Sequence, residues 1–248
     1  MIVDLGHSFF KIGYAGDSAP RIDTESCYAV CFPNSRPGEE IDPNTGKLVP
    51  TKNKFIFMEQ LHNYNQNCQY KPILKPGCEY PEKEFSEFFC EEVFGSLNIE
   101  PKTMPVMMSE DNMLTKEDRL KYVHLMLEGN VTQSFFMLRK SVLSLYACGK
   151  LSGTILDSGS YLTSTSTIEE GYFVPEGYCK LNFGGEHITE KIMQHFEHEY
   201  ASILPDSIRT DGTNDLHYLD DSVFHFERRC FSRKVKHSLL SEECSLIT

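Results

Sequence analysis

Val3-Asp4-Leu5-Gly6-His7-Ser8-Phe9-Phe10-Lys11-Ile12-Gly13-Tyr14-Ala15-Gly16-Asp17 reads as an apolar strand ending on an aspartate, a turn of small residues, and a second strand. A strand–Asp–x–Gly turn sets a carboxylate and backbone N–H groups at one edge, which suits a phosphate held together with a divalent cation. Any β-hairpin can close on Asp-x-Gly, so one copy decides little. The chain carries a second copy, Thr154-Ile155-Leu156-Asp157-Ser158-Gly159-Ser160-Tyr161. Two copies imply a duplicated fold with a nucleotide clamped between its halves.

The segment Asp17-Ser18-Ala19-Pro20-Arg21 that closes the first hairpin resembles the signature of the actin family. So does Val142-Leu143-Ser144-Leu145-Tyr146-Ala147-Cys148-Gly149-Lys150-Leu151-Ser152-Gly153, which runs into the second motif. Glu170-Gly171-Tyr172 and Phe183-Gly184-Gly185 follow at the family's spacing, while the likeness fades between Ile22 and Tyr70 and after Asp206. The resemblance implies an α/β fold of duplicated actin-like domains, each a mixed five-stranded sheet flanked by helices. Residues 1–150 would form the first domain, with a variable loop at 33–70. Residues 151–248 would form a partial second domain holding the start of an inserted small lobe, since family members are longer. A fragment and a shortened product are both open readings. Within the family the chain is most like the subfamily of nuclear actin-related protein four, found in chromatin-remodelling and histone acetyltransferase complexes. Pro105-Val106-Met107-Met108-Ser109-Glu110, Lys140 in place of a glutamine, and a lengthened loop over 55–77 carry that likeness.

The resemblance assigns Asp4 and Asp157 to a magnesium ion held through its water shell, and Lys11 to the nucleotide phosphates. Gly6, His7 and Ser8 in the first turn, Ser158, Gly159, Ser160 and Tyr161 in the second, and Gly185 beyond would contact ATP or ADP. A surface hairpin lysine is the plainer reading of Lys11. The departures from actin are His7 and Ser8 for serine and glycine, and Ser160 and Tyr161 for aspartate and glycine. A side chain at Ser8 is expected to cost about 1 kcal/mol if the residue takes positive φ. Tyr161 either stacks in the cleft or fills it. Lys140 and Ser164 replace the glutamine and histidine that position the attacking water. An ammonium has no acceptor, and serine is no base near neutral pH. No catalytic residue is therefore expected, and nucleotide would be bound weakly or without hydrolysis. Lys140 is expected to pair with Asp157 or with a phosphate.

A net charge of −12 opposes direct binding to DNA. Nine cysteines without a C-x-x-C pair read as reduced thiols, and no signal peptide or membrane-spanning run is visible. The expected function is a scaffold subunit of a nuclear complex, bound to protein partners such as actin and a remodeller ATPase helix, with Leu145 and Tyr146 near the receiving groove or in the core. The alternatives are a slow actin-type ATPase and a cytoplasmic, cytoskeletal member of a capping or branching assembly.

Along the chain, 32–54 reads as an exposed loop and Lys83–Leu97 as a helix with a phenylalanine stripe. Thr115 caps a helix whose inner face would be Leu120, Val123 and Leu127. Ser134–Cys148 is expected to be helical throughout and to stop at Gly149. His187–Tyr200 would turn Ile188, Ile192, Met193 and Phe196 inward, 205–221 is polar, and Glu227–His237 reads as a solvated basic face or a nuclear import signal.

Overall fold

The computed structural model describes residues 1–31, 40–41, 48–49, 54–57, 61, 68–74, 84–100, 102–199 and 221–245. The expected polar stretch at 205–220 lies outside them, as does most of the loop at 33–70. The strands are β1 (Ile2–Leu5), β2 (Phe9–Gly13), β3 (Ile22–Glu25), β4 (Cys27–Cys31), β5 (Glu40–Ile41), β6 (Leu48–Val49), β7 (Lys54–Ile56), β8 (Cys68–Pro72), β9 (Val106–Glu110), β10 (Phe135–Arg139), β11 (Gly153–Ser158), β12 (Thr163–Glu169) and β13 (Tyr172–Leu181). Helix α1 spans 84–96 with a π segment at Phe89–Val93, and α2 spans 116–128 with another at His124–Glu128. Helices α3 (Lys140–Ala147), α4 (Gly185–Glu199) and α5 (Asp221–Ser245) complete the described elements.

The chain packs as two compact units, 1–26 with 72–187, and 27–71 with 188–248. In the first, a five-stranded mixed sheet has the order β10-β9-β1-β2-β3, with the β1–β9 and β9–β10 pairs parallel and the others antiparallel. A second, antiparallel sheet runs β11-β12-β13. Its hairpin repeats the first: Asp4 faces Lys11 across β1–β2, and Asp157 faces Ser164 across β11–β12, each aspartate paired with the residue seven positions on. The expected actin-like architecture is thus present, with three strands in the second sheet among the described residues.

Alternation drives the first hairpin. Val3, Leu5, Phe10 and Ile12 are buried, which turns Asp4 and Lys11 to the other face of the sheet. The buried face meets α1, whose Phe85, Phe88, Phe89 and Phe94 are fully enclosed. Phe10 lies edge-on to Phe85 and Phe89 at ring distances of 6.2 and 6.1 Å, the geometry that aromatic quadrupoles favour.

Several expectations are corrected. The stretch 134–148 is not one helix: Phe135–Arg139 is a strand in register with Val106–Glu110, and the helix begins at Lys140. A run of Phe-Phe-Met-Leu adds the parallel edge strand of the mixed sheet, and that long-range pairing overrides a locally helical pattern. On α2, Leu120 and Leu127 are exposed, and Tyr122 and Met126 face inward instead. The larger aromatic takes the core, and the π segment rotates the helix phase beyond it. On α4, Ile188 is exposed while Glu186 and Thr189 are buried. Within the stretch expected to be a loop, β5 and β6 pair antiparallel.

Thr115 does cap α2, accepting from the Asp118 N–H at 3.2 Å. Gly149 does end α3, at φ +68°. Leu145 belongs to the core with Val142 and Ile168, whereas Tyr146 is exposed.

In the second unit β4, flanked by β7 and β8, packs its Ala29 with Tyr70, Val223, Phe226 and Cys230. The basic stretch of α5 is no uniformly solvated face: Arg233 is buried, and Lys236 Nζ donates to Thr189 Oγ1 at 3.0 Å. Cys68 is disulfide-bonded, which corrects the expectation of reduced thiols throughout. Spacing along a chain does not report pairing made in space. Cys27, Cys90, Cys148, Cys179 and Cys230 are outside any disulfide.

Candidate functional site

Between the two sheets of the first unit lies a cleft of about 1040 Å³. Asp4, Gly6, His7, Ser8 and Lys11 of the first hairpin line it, together with Asp157, Gly159, Ser160 and Tyr161 of the second. Helix α3 forms one wall: Lys140, Leu143, Ser144 and Ala147 recur at three-to-four spacing toward the cleft, while Ser141, Val142 and Leu145 are buried behind. Of the expected contact residues, Ser158 and Gly185 do not line the cleft. Ser158 Oγ pairs with Thr163 Oγ1 at 3.0 Å, and the Gly185 N–H donates to the Gly159 carbonyl at 3.0 Å.

The start of α3 is fixed by Asn112, which is buried. Its Oδ1 accepts from the Ser141 N–H at 3.3 Å and from Ser141 Oγ at 2.6 Å, and its Nδ2 donates to Ser166 Oγ at 3.0 Å. One amide therefore ties the end of the first sheet, the first turn of α3 and the second sheet together.

Lys140 projects from that turn. Its Nζ donates to the Leu5 carbonyl at 3.1 Å and stands 3.6 Å from Asp4 Oδ1. Ser109 Oγ donates to the same Asp4 oxygen. The expected pairing of Lys140 with Asp157 is replaced by one with Asp4. Lys11 lies at the cleft's edge with its ammonium 3.6 Å from Asp23, both half-exposed. Ser164, across from Asp157, is buried.

The two turns meet through aromatic side chains. His7 and Tyr161 stand edge to face at 5.5 Å, Tyr161 and His187 at 5.9 Å, and His187 stacks on Phe183 at 5.4 Å. Tyr161 thus reaches both turns and takes up space between them. Ser8 is not at positive φ, so the expected backbone strain is absent there. Its buried Oγ donates instead to Glu186 Oε2 at 3.2 Å. Gly184 is required by close approach: a Cβ there would lie 2.5 Å from the carbonyl oxygens of Gly159 and Ser160.

Sequence reasoning missed Ser109, Glu186, His187 and Lys180. Lys180 lines the cleft and pairs in register with Ser164. The hairpin turn Glu170-Gly171, both at positive φ, would suggest a different partner. The pairing slips from Thr167↔Val174 to Thr165↔Cys179, five steps on β13 against two on β12, and no local residue pattern announces that bulge.

A duplicated Asp-x-Gly hairpin on either side of one cleft, with a helix from the first sheet as one wall, defines an actin-like fold. The family model described as actin matches residues 1–226, and the chain belongs to the actin family.

Members of this family generally bind ATP or ADP with magnesium. The residues present do not fit that metal. Asp4, one of its two expected anchors, already accepts from Ser109 and carries the Lys140 ammonium beside it. Lys140 offers donors only. His187 Nδ1 accepts from the Gly184 N–H at 3.1 Å, so the neutral ring carries its proton on Nε2 and donates there.

Proposed function

We propose that this chain is a non-hydrolysing actin-family scaffold subunit that docks partner helices in a nuclear chromatin-remodelling or histone acetyltransferase complex. The observation that carries the non-catalytic part is Lys140: at the position where the family aims water, an ammonium is held on Asp4 and the Leu5 carbonyl. Adenine nucleotide is at most a structural ligand of such a cleft.

The nuclear part is supported by the subfamily likeness of Pro105–Glu110 and of Lys140. The charge of −12 favours protein partners over DNA. Affinity capture of the tagged chain from nuclear and cytoplasmic extracts tests the assignment. Recovery of remodeller or acetyltransferase subunits is expected. Recovery of dynactin or branching-complex subunits instead would move the protein to the cytoskeleton.

A further inference from the structure

We propose that Lys140 takes over the charge role of the divalent cation, so that the cleft neither needs nor holds magnesium. A metal bound through water by Asp4 and Asp157 requires both carboxylates to be free to order that water. Asp4 is not free. One of its oxygens accepts from Ser109 Oγ, and the same oxygen has the Lys140 ammonium at 3.6 Å. A divalent ion brought to this edge meets a like charge at close range and a carboxylate with one oxygen already engaged.

The ammonium is not a loose surface group that could swing aside without loss. It donates to the Leu5 carbonyl at 3.1 Å, and β1 is fixed by pairing with β2 on one side and β9 on the other. The turn that carries Lys140 is anchored through the Ser141–Asn112 bonds. Across the cleft Asp157 stands opposite the neutral Ser164, with no ammonium paired to it among the described residues.

This inference is independent of the scaffold reading, because a protein can dock partners with or without a resident metal. The probe is Mn²⁺ added to the full chain, followed by the paramagnetic resonance signal of the free ion. Wild type is expected to leave that signal unchanged at millimolar metal, and its melting temperature is expected to be the same in Mg²⁺ and in EDTA. Lys140→Gln keeps an N–H for the Leu5 carbonyl while removing the charge. It is expected to bind Mn²⁺ at least about tenfold more tightly than wild type, and adding Asp157→Asn should abolish the gain. Metal binding by wild type, or a Lys140→Gln variant no tighter than wild type, overturns the proposal. If that variant does not fold, the wild-type titration and melting pair still decide.

Discussion

Asn112 shows how much of the cleft rests on one buried amide. It satisfies Ser141 and Ser166 from opposite sides, and the backbone carbonyl of the same residue accepts from Arg139 Nε at 3.2 Å. Truncating it leaves two buried hydroxyls and a helix-start N–H without this partner. Asn112→Ala is expected to lower stability by about 1–3 kcal/mol, read as a shift of the urea midpoint with an unchanged slope. The importance of Asn112 was not legible in Glu110-Asp111-Asn112-Met113, where an Asn after a strand reads as an ordinary turn residue. The opposite holds for Asp4 and Asp157: the resemblance of their two motifs to the family's placed both at the cleft, and both line it.

At the scale of elements, what could be read depended on whether the deciding interaction was local. The Thr115 cap is local, and the structure has it. Thr115 Oγ1 also donates to Asp118 Oδ2 at 2.7 Å, and Lys121 Nζ donates to Asp118 Oδ1 at 2.8 Å. The Lys121 bond, then the Thr115 bond, hold the Asp118 carboxyl below its ordinary 3.8. A depressed carboxylate contributes stability that is present above its unfolded value and lost as pH falls through the folded one. Thr115→Ala is therefore expected to cost about 1 kcal/mol near neutrality, with the gap to wild type narrowing below about pH 4, measured by chemical denaturation across that range. The phase of α2 and the break between β10 and α3 were not local. Both depend on which apolar face finds a long-range partner, and Phe135–Arg139 finds β9 at a sequence distance no window of periodicity spans.

For the molecule as a whole, the second sheet leaves apolar surface in the open. Leu156 is 72% exposed on β11, an outer strand of its sheet, and Leu181 and Phe183 are exposed in the same unit. Exposed edges with such residues template association. Leu156→Lys is expected to lower concentration-dependent light scattering while changing stability by no more than about 0.5 kcal/mol. The proposed loss of hydrolysis is also a property of the whole cleft: two hairpins retain their aspartates, while Lys140 and Ser164 stand where the resemblance places the water-positioning groups. The most direct measurement is phosphate release from ATP labelled at that position, with the purified chain in excess and magnesium present. Release no faster than in buffer alone is the expected result; release that scales with protein concentration and survives further purification would contradict the account.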